Sequence, residues 1–519
     1  MELELPGCSL TWILAALLPI LIYLYHIRQL SVFKKMGVPA PRQWPIVGDF
    51  FGQMKRGLWA PDYQVEMMRQ YGKVYGVYSG SSPILIVSDP EMLREIFIKQ
   101  FHNFSRRNAE FMTLNTIPSG RYLINLSGED WKNIRTTITP AFSTGKLKQM
   151  VGQLNRCANI LADTVGGFAN TDKPFKAREL TGGFTMDAIA STAFGTEIDS
   201  QRNPEDPFVI HGRQGFKFDF RNPILWLWIF FPKIMRPILE ATDWDFFPRK
   251  SYRFFENVFD QLMDMRQQGG IERVDFMQLM ANAHKEKDEE DEGMEEVKVH
   301  GQRKALTKAD VVSNGILFFL AGYDTTASTM AYTMYNLALN QEAQDTVIQE
   351  VDNAMEGKDD VDHEAVGQLT YLEMCIMETL RLYPPGANVM TRCSVEDTVV
   401  KGLSIPKGVT ILTPVQAIHY DPERWPEPKK FIPERFTKEE REKRNPFDWL
   451  PFGAGPRSCI GMRLALLEAK IGLAKVFMKY RILPCQETQI PLKMKKHDVF
   501  PTAEDGVMLK ATPRNQSEN

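Results

Sequence analysis

The sequence has few cysteines and no excess of charge of either sign. Its 519 residues include six cysteines, which are too widely spread to form a disulfide scaffold in a chain of this length, so a reducing compartment is expected. The 62 basic and 65 acidic side chains give a formal net charge of -3. A chain so balanced lacks the broad cationic field that holds nucleic acid, and we expect no nucleic-acid partner.

Several familiar active-site motifs are also absent. There is no Cys-x-x-Cys pair, no His-Glu-x-x-His zinc motif and no Gly-x-Ser-x-Gly nucleophile elbow. Gly145-Lys146 resembles a fragment of a phosphate-binding loop, but Pro140 stands where the earlier glycine is required and Leu147 replaces the Ser/Thr. Because no dinucleotide-binding fingerprint is present, a redox activity would need electrons from another protein.

The composition is that of a globular protein, with 43% hydrophobic and 24% charged residues, which excludes a disordered or fibrous chain. Residues 73–88 are typical of a β-hairpin, and residues 398–412 carry a second short β signal. Helical periodicity covers most of the rest, chiefly residues 145–170, 250–283, 307–340, 341–356, 366–382 and 461–480. We therefore expect one large, mainly α domain with a small β portion over residues 49–519.

The N-terminus carries an uncharged apolar run at residues 9–25. At about 1.5 Å per residue, a helix of this run reaches most of the roughly 30 Å hydrocarbon core of a bilayer. His26, Arg28, Lys34 and Lys35 follow it, so the positive-inside rule places the rest of the chain in the cytosol. A cleaved signal peptide is the alternative, but the basic start and small-residue cleavage site that it requires are missing.

We expect residues 1–26 to form an uncleaved, single-pass membrane anchor. The basic, proline-rich residues 27–48 are expected to form a stalk, because proline stiffens the chain. A second apolar stretch at residues 223–232 is too short to span a bilayer. Either it packs in the core, or its Trp226 and Trp228 lie at a membrane interface, and the sequence leaves both interpretations open.

One cysteine stands in a distinctive setting. Cys459 lies in the run Pro451-Phe452-Gly453-Ala454-Gly455-Pro456-Arg457-Ser458-Cys459-Ile460-Gly461, directly before a helical pattern. A thiol at a helix N-terminus beside an arginine is stabilised as the thiolate, and glycines let backbone N–H groups point at the sulfur. Such a thiolate suits the axial position of a haem iron, where it favours O–O cleavage. A buried structural cysteine is the plainer alternative.

The pattern Phe452-x-x-Gly455-x-Arg457-x-Cys459-x-Gly461 resembles the haem-binding loop of the cytochrome P-450 superfamily. Three more of its motifs occur in family order and spacing, namely Ala321-Gly322-Tyr323-Asp324-Thr325-Thr326, Glu378-x-x-Arg381 and Pro433-Glu434-Arg435-Phe436. The resemblance covers essentially the whole chain. Residues 142–148 and 216–220 look most like the animal microsomal clan of family-three drug-metabolising enzymes and thromboxane synthase. The resemblance to the superfamily implies the P-450 fold, which is mainly α with a small β portion, as a single large haem domain with an N-terminal transmembrane anchor.

The resemblance implies haem b as cofactor, with Cys459 as the axial ligand of the iron. Residues implied to contact the haem are Cys459, Arg457, Phe452, Gly455, Gly461, Trp131, Arg135, Arg106 and Arg392; a guanidinium suits a haem propionate because it bonds a carboxylate at two points. Residues implied to form a buried structural cluster are Glu378, Arg381 and Arg435. Candidate substrate-lining residues are Phe318, Ala321, Ala387, Val389 and Phe500.

Asp324 and Thr325 are implied to deliver protons during oxygen activation. The Thr325 hydroxyl can bond back to the carbonyl of Ala321 and so loosen the helix. Gly322 is expected to remove bulk where a planar cofactor approaches. A surface aspartate beside two indifferent threonines is a weak alternative, because residues 316–321 are so apolar.

The resemblance implies a monooxygenase that inserts one atom of O2 into a small lipophilic organic substrate at the endoplasmic reticulum membrane. Electrons would come from NADPH through NADPH-cytochrome P-450 reductase, with cytochrome b5 as a second candidate partner. Alternatives are a peroxide isomerase of the thromboxane synthase type and a non-catalytic haem-binding protein. Basic candidates for the face that docks the reductase, which fit a solvated loop equally well, are Lys132, Lys438, Arg441, Lys443 and Arg444.

Overall fold

Helices dominate the computed structural model, and strands are few and short, as the sequence predicts. The residues that the structure describes are 30–44, 48, 61–80, 82–107, 114–203, 205–214, 222–245, 247–267, 276–280, 282, 306–386, 390–495 and 500–514, with a few positions between 17 and 28.

The α-helices of the N-terminal half alternate between short connectors and a few long elements. In chain order they are α1 (Val32–Met36), α2 (Pro61–Tyr71), α3 (Pro90–Arg94), α4 (Gly128–Ile138), α5 (Thr144–Thr171), α6 (Ala177–Ile189), α7 (Pro207–Arg213), α8 (Pro223–Phe230), α9 (Pro232–Ala241) and α10 (Arg249–Gln267).

The C-terminal half contains the longest helix described. Its α-helices are α11 (Lys308–Leu339), α12 (Gln341–Ala354), α13 (His363–Gln368), α14 (Thr370–Leu382), α15 (Val415–His419), α16 (Lys438–Lys443) and α17 (Met462–Lys479). Short π or 3-10 turns occupy Glu95–Lys99, Ser119–Arg121, Thr139–Phe142, Ala190–Phe194, Pro433–Phe436, Pro446–Asp448 and Gly455–Arg457.

Nine short strands make up the β portion in the described ranges. They are β1 (Val74–Ser79), β2 (Ser82–Val87), β3 (Phe175–Lys176), β4 (Thr391–Cys393), β5 (Thr398–Val400), β6 (Leu403–Ile405), β7 (Thr410–Leu412), β8 (Tyr480–Leu483) and β9 (Met508–Pro513). One sheet has the order β1-β2-β7-β4, a second β3-β9-β8, and β5 pairs with β6. The predicted hairpin is confirmed, with Val74 opposite Val87 and Ser79 opposite Ser82.

Helix α11 runs through the largest hydrophobic cluster. It begins with a capping box in which the Thr307 side chain accepts from the Asp310 N–H and the Asp310 carboxylate accepts from the Thr307 N–H. Its residues are buried at 310–320 and again at 326–338. Such a helix needs apolar neighbours on every side, and α5, α6 and α17 supply much of that surface.

Helix α6 is joined to α11 by hydroxyl groups as well as by apolar contact. Thr181 donates to the carbonyl of Ala327 at 2.9 Å, and Thr185 donates to the carbonyl of Tyr323 at 3.0 Å. A Cβ on Gly322 would lie 2.9 Å from Cδ1 of Ile189 in α6. The missing side chain of Gly322 therefore lets α6 approach α11, and the expectation that it makes room for a planar cofactor stays a prediction.

The predicted anchor lies largely outside the described residues. Leu17, Ile20, Leu21, Tyr23 and Leu24 are described, and each is helical with an exposed side chain. A search of the described residues for a helix with the length and apolarity needed to cross a bilayer found none.

The apolar stretch at residues 223–232 forms α8 and the start of α9. Leu225 and Trp228 are buried in a small cluster with Leu114 and Leu239, so core packing explains one face of α8. Leu227, on another face, is 47% exposed.

We expect Gly472→Ala in α17 to lower the free energy of unfolding by about 1–3 kcal/mol, the usual cost of overpacking a core. Its Cβ would lie 2.5 Å from Cε of Met330 and 2.8 Å from Cε1 of Phe184. The matched control is Gly152→Ala in α5, where nothing lies within 4 Å and alanine should stabilise the helix by up to about 1 kcal/mol. Denaturant unfolding measures both, and equal effects would contradict this packing.

Candidate functional site

The cysteine loop, residues 451–461, is held by backbone bonds and by one close approach. The Cys459 N–H donates to the Phe452 carbonyl at 2.8 Å, so the loop closes on itself. Gly455 has φ +71°, and a Cβ there would lie 2.1 Å from the carbonyl oxygen of Phe97. Only glycine fits this position, both for its conformation and for its contact. Phe452 packs edge-on against Trp449 with ring centroids 6.0 Å apart.

The Cys459 side chain is accessible to solvent, although many protein atoms lie around its sulfur. Burial raises the pKa of the Cys459 thiol. The N–H groups of Gly461 and Met462 and the charges of Arg135 and Arg107 lower that pKa, but their effect is smaller than that of burial. The predicted N–H groups do point at the sulfur. These N–H groups and the nearby arginine charges lower the pKa of the thiol, in the direction that the sequence predicts, but they do not offset burial; coordination to a metal would deprotonate the thiol outright.

Four buried or half-buried arginines, here called the arginine cluster, gather around the loop: Arg107, Arg135, Arg392 and Arg457. Burial is the main cause that lowers the pKa of each. Their mutual repulsion adds to it, as when Arg107 and Arg135 help bring the pKa of Arg457 to about 9. Arg107, with a pKa of about 10, is partly stabilised by the charge of Cys459.

Carbonyl groups and aromatic rings take up part of the hydrogen-bonding capacity of the arginine cluster. Arg135 donates to the Ser458 carbonyl at 3.1 Å, and Arg392 to that of Thr391 at 2.7 Å. The Arg457 guanidinium lies 4.6 Å from the ring centroid of Trp131. The Nε atoms of Arg107, Arg392 and Arg457 are buried without a hydrogen-bond partner in the described part of the chain.

The arginine cluster therefore lacks the negative charge that buried cations need. No acidic side chain among the described residues forms an ion pair with any of the four. Two carboxylates between them would supply the missing charge and bond the free N–H groups at two points. The propionates of haem b meet this requirement, so the residues present fit that cofactor.

The structure distinguishes two adjacent arginines, of which the sequence analysis named the first. Arg106 is exposed, and its carbonyl accepts from the Cys393 N–H at 2.8 Å in a strand-like bridge. Side chains alternate along extended backbone, so Arg107 points inward instead. Arg107 therefore joins the candidate haem contacts, and the contact predicted for the exposed Arg106 stays a prediction. The sequence carried no signal beyond the adjacent pair itself.

Helix α11 is continuous, but its side chains become exposed at the motif of residues 321–326 that the sequence analysis identified, and the exposed residues are here called the open stretch. Residues 321–325 are partly or fully exposed, although the residues on both sides of this stretch are buried. The Thr325 hydroxyl donates to the Ala321 carbonyl at 2.7 Å, which confirms the predicted bond. The Phe142 ring links this region to the cysteine loop, because it stacks on Phe318 at 5.8 Å and lies 3.9 Å from the position of a Cβ on Gly461.

Asp324 points toward α6, where it forms an ion pair with Arg178. Arg178 also donates from Nε to the Ser328 hydroxyl at 3.0 Å, so it grips two residues one turn apart on α11. The sequence analysis missed Arg178. Because the two partners lie 146 positions apart, no local pattern connects them.

The structure brings Glu378, Arg381 and Arg435 together. Arg381 donates from Nε and from a terminal nitrogen to the two oxygens of Glu378 at 2.7 and 2.8 Å, and both side chains are fully buried. Arg435 lies 3.4 Å from Glu378 Oε1. The Ile432 N–H donates to the same oxygen at 3.0 Å, so this pair ties α14 to the segment that leads toward the cysteine loop.

The candidate substrate-lining residues differ in how exposed the structure leaves them. Ala321 is exposed within the open stretch of α11. Phe318 is buried between Phe142 and Phe276, so core packing describes it better than a substrate contact. Phe500 is half-buried, and Ala387 and Val389 lie outside the described residues.

Comparison with known proteins adds an independent finding. The family profile described as Cytochrome P450 matches residues 38–511. The chain is 37% identical to cytochrome P450 3A29 of Sus scrofa over 98% of each sequence. It is 36% identical to cytochrome P450 3A11 of Mus musculus and 35% identical to cytochrome P450 3A2 of Rattus norvegicus, each over 97% of both sequences.

We expect Arg107→Met to weaken haem binding by about tenfold or more, the usual value of a hydrogen bond to a charged group. Arg106→Met, one position away but exposed, is the matched control and should bind haem like the wild type. Titration of haem into the haem-free protein measures both. A loss of affinity in the Arg106 variant alone would assign the haem contact to Arg106 instead of Arg107.

Proposed function

The chain belongs to the cytochrome P450 family and is a monooxygenase with haem b, and we propose that it is a membrane-anchored enzyme that oxidises small lipophilic substrates with electrons from a reductase that uses NADPH. The observation that carries this proposal is the arginine cluster around Cys459, whose unmatched charge fits a dianionic porphyrin. The exposed side chains at residues 321–325 of α11 would face the substrate and water.

Each part of the site has a physical task. When bound, haem supplies the redox centre at which dioxygen is reduced and cleaved. Cys459 is proposed to ligate the iron, with the Gly461 and Met462 N–H groups directed at its sulfur. Arg107, Arg135, Arg392 and Arg457 would hold the cofactor by its propionates and offset their charge. Trp131, stacked under Arg457, keeps that guanidinium in place.

Asp324 and Thr325 are proposed to move protons from solvent into the site. Thr325 holds its hydroxyl proton toward the Ala321 carbonyl in the open stretch, where a water molecule can exchange with that bond. Asp324 lies one residue earlier at the α6 side, where it forms an ion pair with Arg178. A relay between them favours a monooxygenase over a peroxide isomerase, which consumes no protons from solvent.

Electrons are proposed to arrive from NADPH-cytochrome P-450 reductase, with cytochrome b5 as a second candidate donor. Lys132, Lys438, Arg441 and Lys443 are exposed and remain candidates for the docking face. Arg444 fits this role poorly, because its guanidinium lies 4.0 Å from the ring centroid of Trp425 and donates to the Arg435 carbonyl.

We propose the endoplasmic reticulum membrane as the location, with the haem domain on the cytosolic side. Residues 1–26 would anchor the chain, and the exposed Leu227, Ile234 and Ile238 of α8 and α9 would rest on the same bilayer. An alkaline wash of microsomes should leave the full chain in the membrane pellet. Its release into the supernatant would contradict an integral anchor.

The decisive activity test is the coupling of NADPH use to product. We expect Thr325→Val to lower product formed per NADPH by about tenfold or more, with a rise in peroxide, because a positioned proton donor contributes on the order of a hundredfold or more. The control is Thr333→Val, a buried hydroxyl that makes the same kind of bond along α11. Unchanged coupling would contradict the proposed role of Thr325, and turnover of a hydroperoxide without NADPH would favour the isomerase.

A further inference from the structure

His419, the last residue of α15, connects the Glu378–Arg381 pair to the cysteine loop. Its side chain is fully buried. Nδ1 donates to the Arg381 carbonyl at 3.1 Å, and Nε2 accepts from the Leu450 N–H at 2.9 Å. Because a carbonyl can only accept and an N–H can only donate, these two bonds fix one neutral tautomer.

The bonds on the Arg381 side are reciprocal. One terminal nitrogen of Arg381 donates to the His419 carbonyl at 2.7 Å, while His419 donates to the Arg381 carbonyl. Arg381 is itself held by both oxygens of Glu378. The histidine ring is therefore fixed in position and orientation by a buried ion pair.

The bonds on the Leu450 side lead directly into the cysteine loop. Leu450 immediately precedes the loop and is 3% exposed. Its carbonyl accepts from the Gly453 N–H at 3.1 Å, and the Phe452 carbonyl accepts from the Cys459 N–H at 2.8 Å. A short series of hydrogen bonds thus runs from Glu378 through Arg381, His419 and Leu450 to the backbone of Cys459.

Nε2 of His419 stays unprotonated near neutral pH and can therefore accept the hydrogen bond from Leu450. Burial, and then the charge of Arg381, lower the pKa of His419 to about 3. Without the histidine, the buried Leu450 N–H would lose its partner, and an unsatisfied buried donor is costly.

We propose that His419 is a positioning residue whose Nε2 acceptor fixes the start of the cysteine loop and thereby holds Cys459 in place to ligate the haem iron. This inference rests on the haem-thiolate function proposed above. It assigns to His419 a task in orienting the ligand that is separate from its contribution to packing.

Three substitutions distinguish the role of Nε2 of His419 from the role of its Nδ1. His419→Gln places an acceptor near the position of Nε2, His419→Asn places a donor near the position of Nδ1, and His419→Ala removes both. The packing control is Trp425→Phe. The centroids of the Trp425 and His419 rings lie 6.4 Å apart, and Nε1 of Trp425 has no hydrogen-bond partner among the described residues.

The first measurement is the absorption spectrum of the reduced, haem-loaded protein with carbon monoxide, followed during mild heating. The asparagine and alanine variants should lose the red-shifted band of thiolate ligation about tenfold faster than the wild type. The glutamine variant and Trp425→Phe should stay within about threefold. The second measurement is amide hydrogen exchange at residues 450–452, which should quicken in the same order.

Equal loss of the band in the asparagine, glutamine and Trp425→Phe variants would overturn the proposal and reduce His419 to a packing residue. An asparagine variant with wild-type spectrum and exchange would do the same. If the wild type itself lacked the red-shifted band, the haem-thiolate function would fail, while amide exchange would still report whether His419 holds the loop.

Discussion

The site depends on positive charge that the described protein residues do not neutralise. Four guanidinium groups lie around the cysteine loop, where isolated buried charge is costly, and three of their Nε atoms have no hydrogen-bond partner among the described residues. Such an arrangement is stable only when an anion is added. The cysteine loop, the Trp131 ring and the short strand β4 all serve to hold these groups in place, so the fold around the cofactor is prepared for a ligand that brings two carboxylates.

The opposite side of the site depends on one helix that is buried almost everywhere. Between residues 310 and 338, helix α11 is partly or fully exposed only at residues 321–325. In or next to this stretch, α6 bonds two carbonyls through Thr181 and Thr185 and the acid Asp324 through Arg178. The same five residues therefore carry the opening and the proton-handling groups. Gly322 contributes by letting α6 approach, so the position of the acid is set by packing between two helices.

Sequence reasoning predicted the features that local pattern determines. Long stretches of regular periodicity gave α5, α11 and α17 within a few residues, and the glycine-rich loop gave Cys459, because both signals are contained in short windows. Arg178 and His419 escaped it, since each acts through a partner distant in sequence. Arg107 escaped it because the direction of a side chain in extended backbone depends on the pairing with Cys393. The rise in the pKa of Cys459 also escaped it, because burial is a tertiary property that outweighs the neighbouring donors.

Thiolate ligation by Cys459 is the claim on which all of this rests, and the Cys459→Ser variant tests it most directly. The reduced wild-type protein with carbon monoxide should show the strongly red-shifted main haem band of a thiolate ligand, and the serine variant should bind haem through the same arginine cluster but lack that shift. A serine variant that keeps the red-shifted band would show that another side chain ligates the iron and would contradict the account.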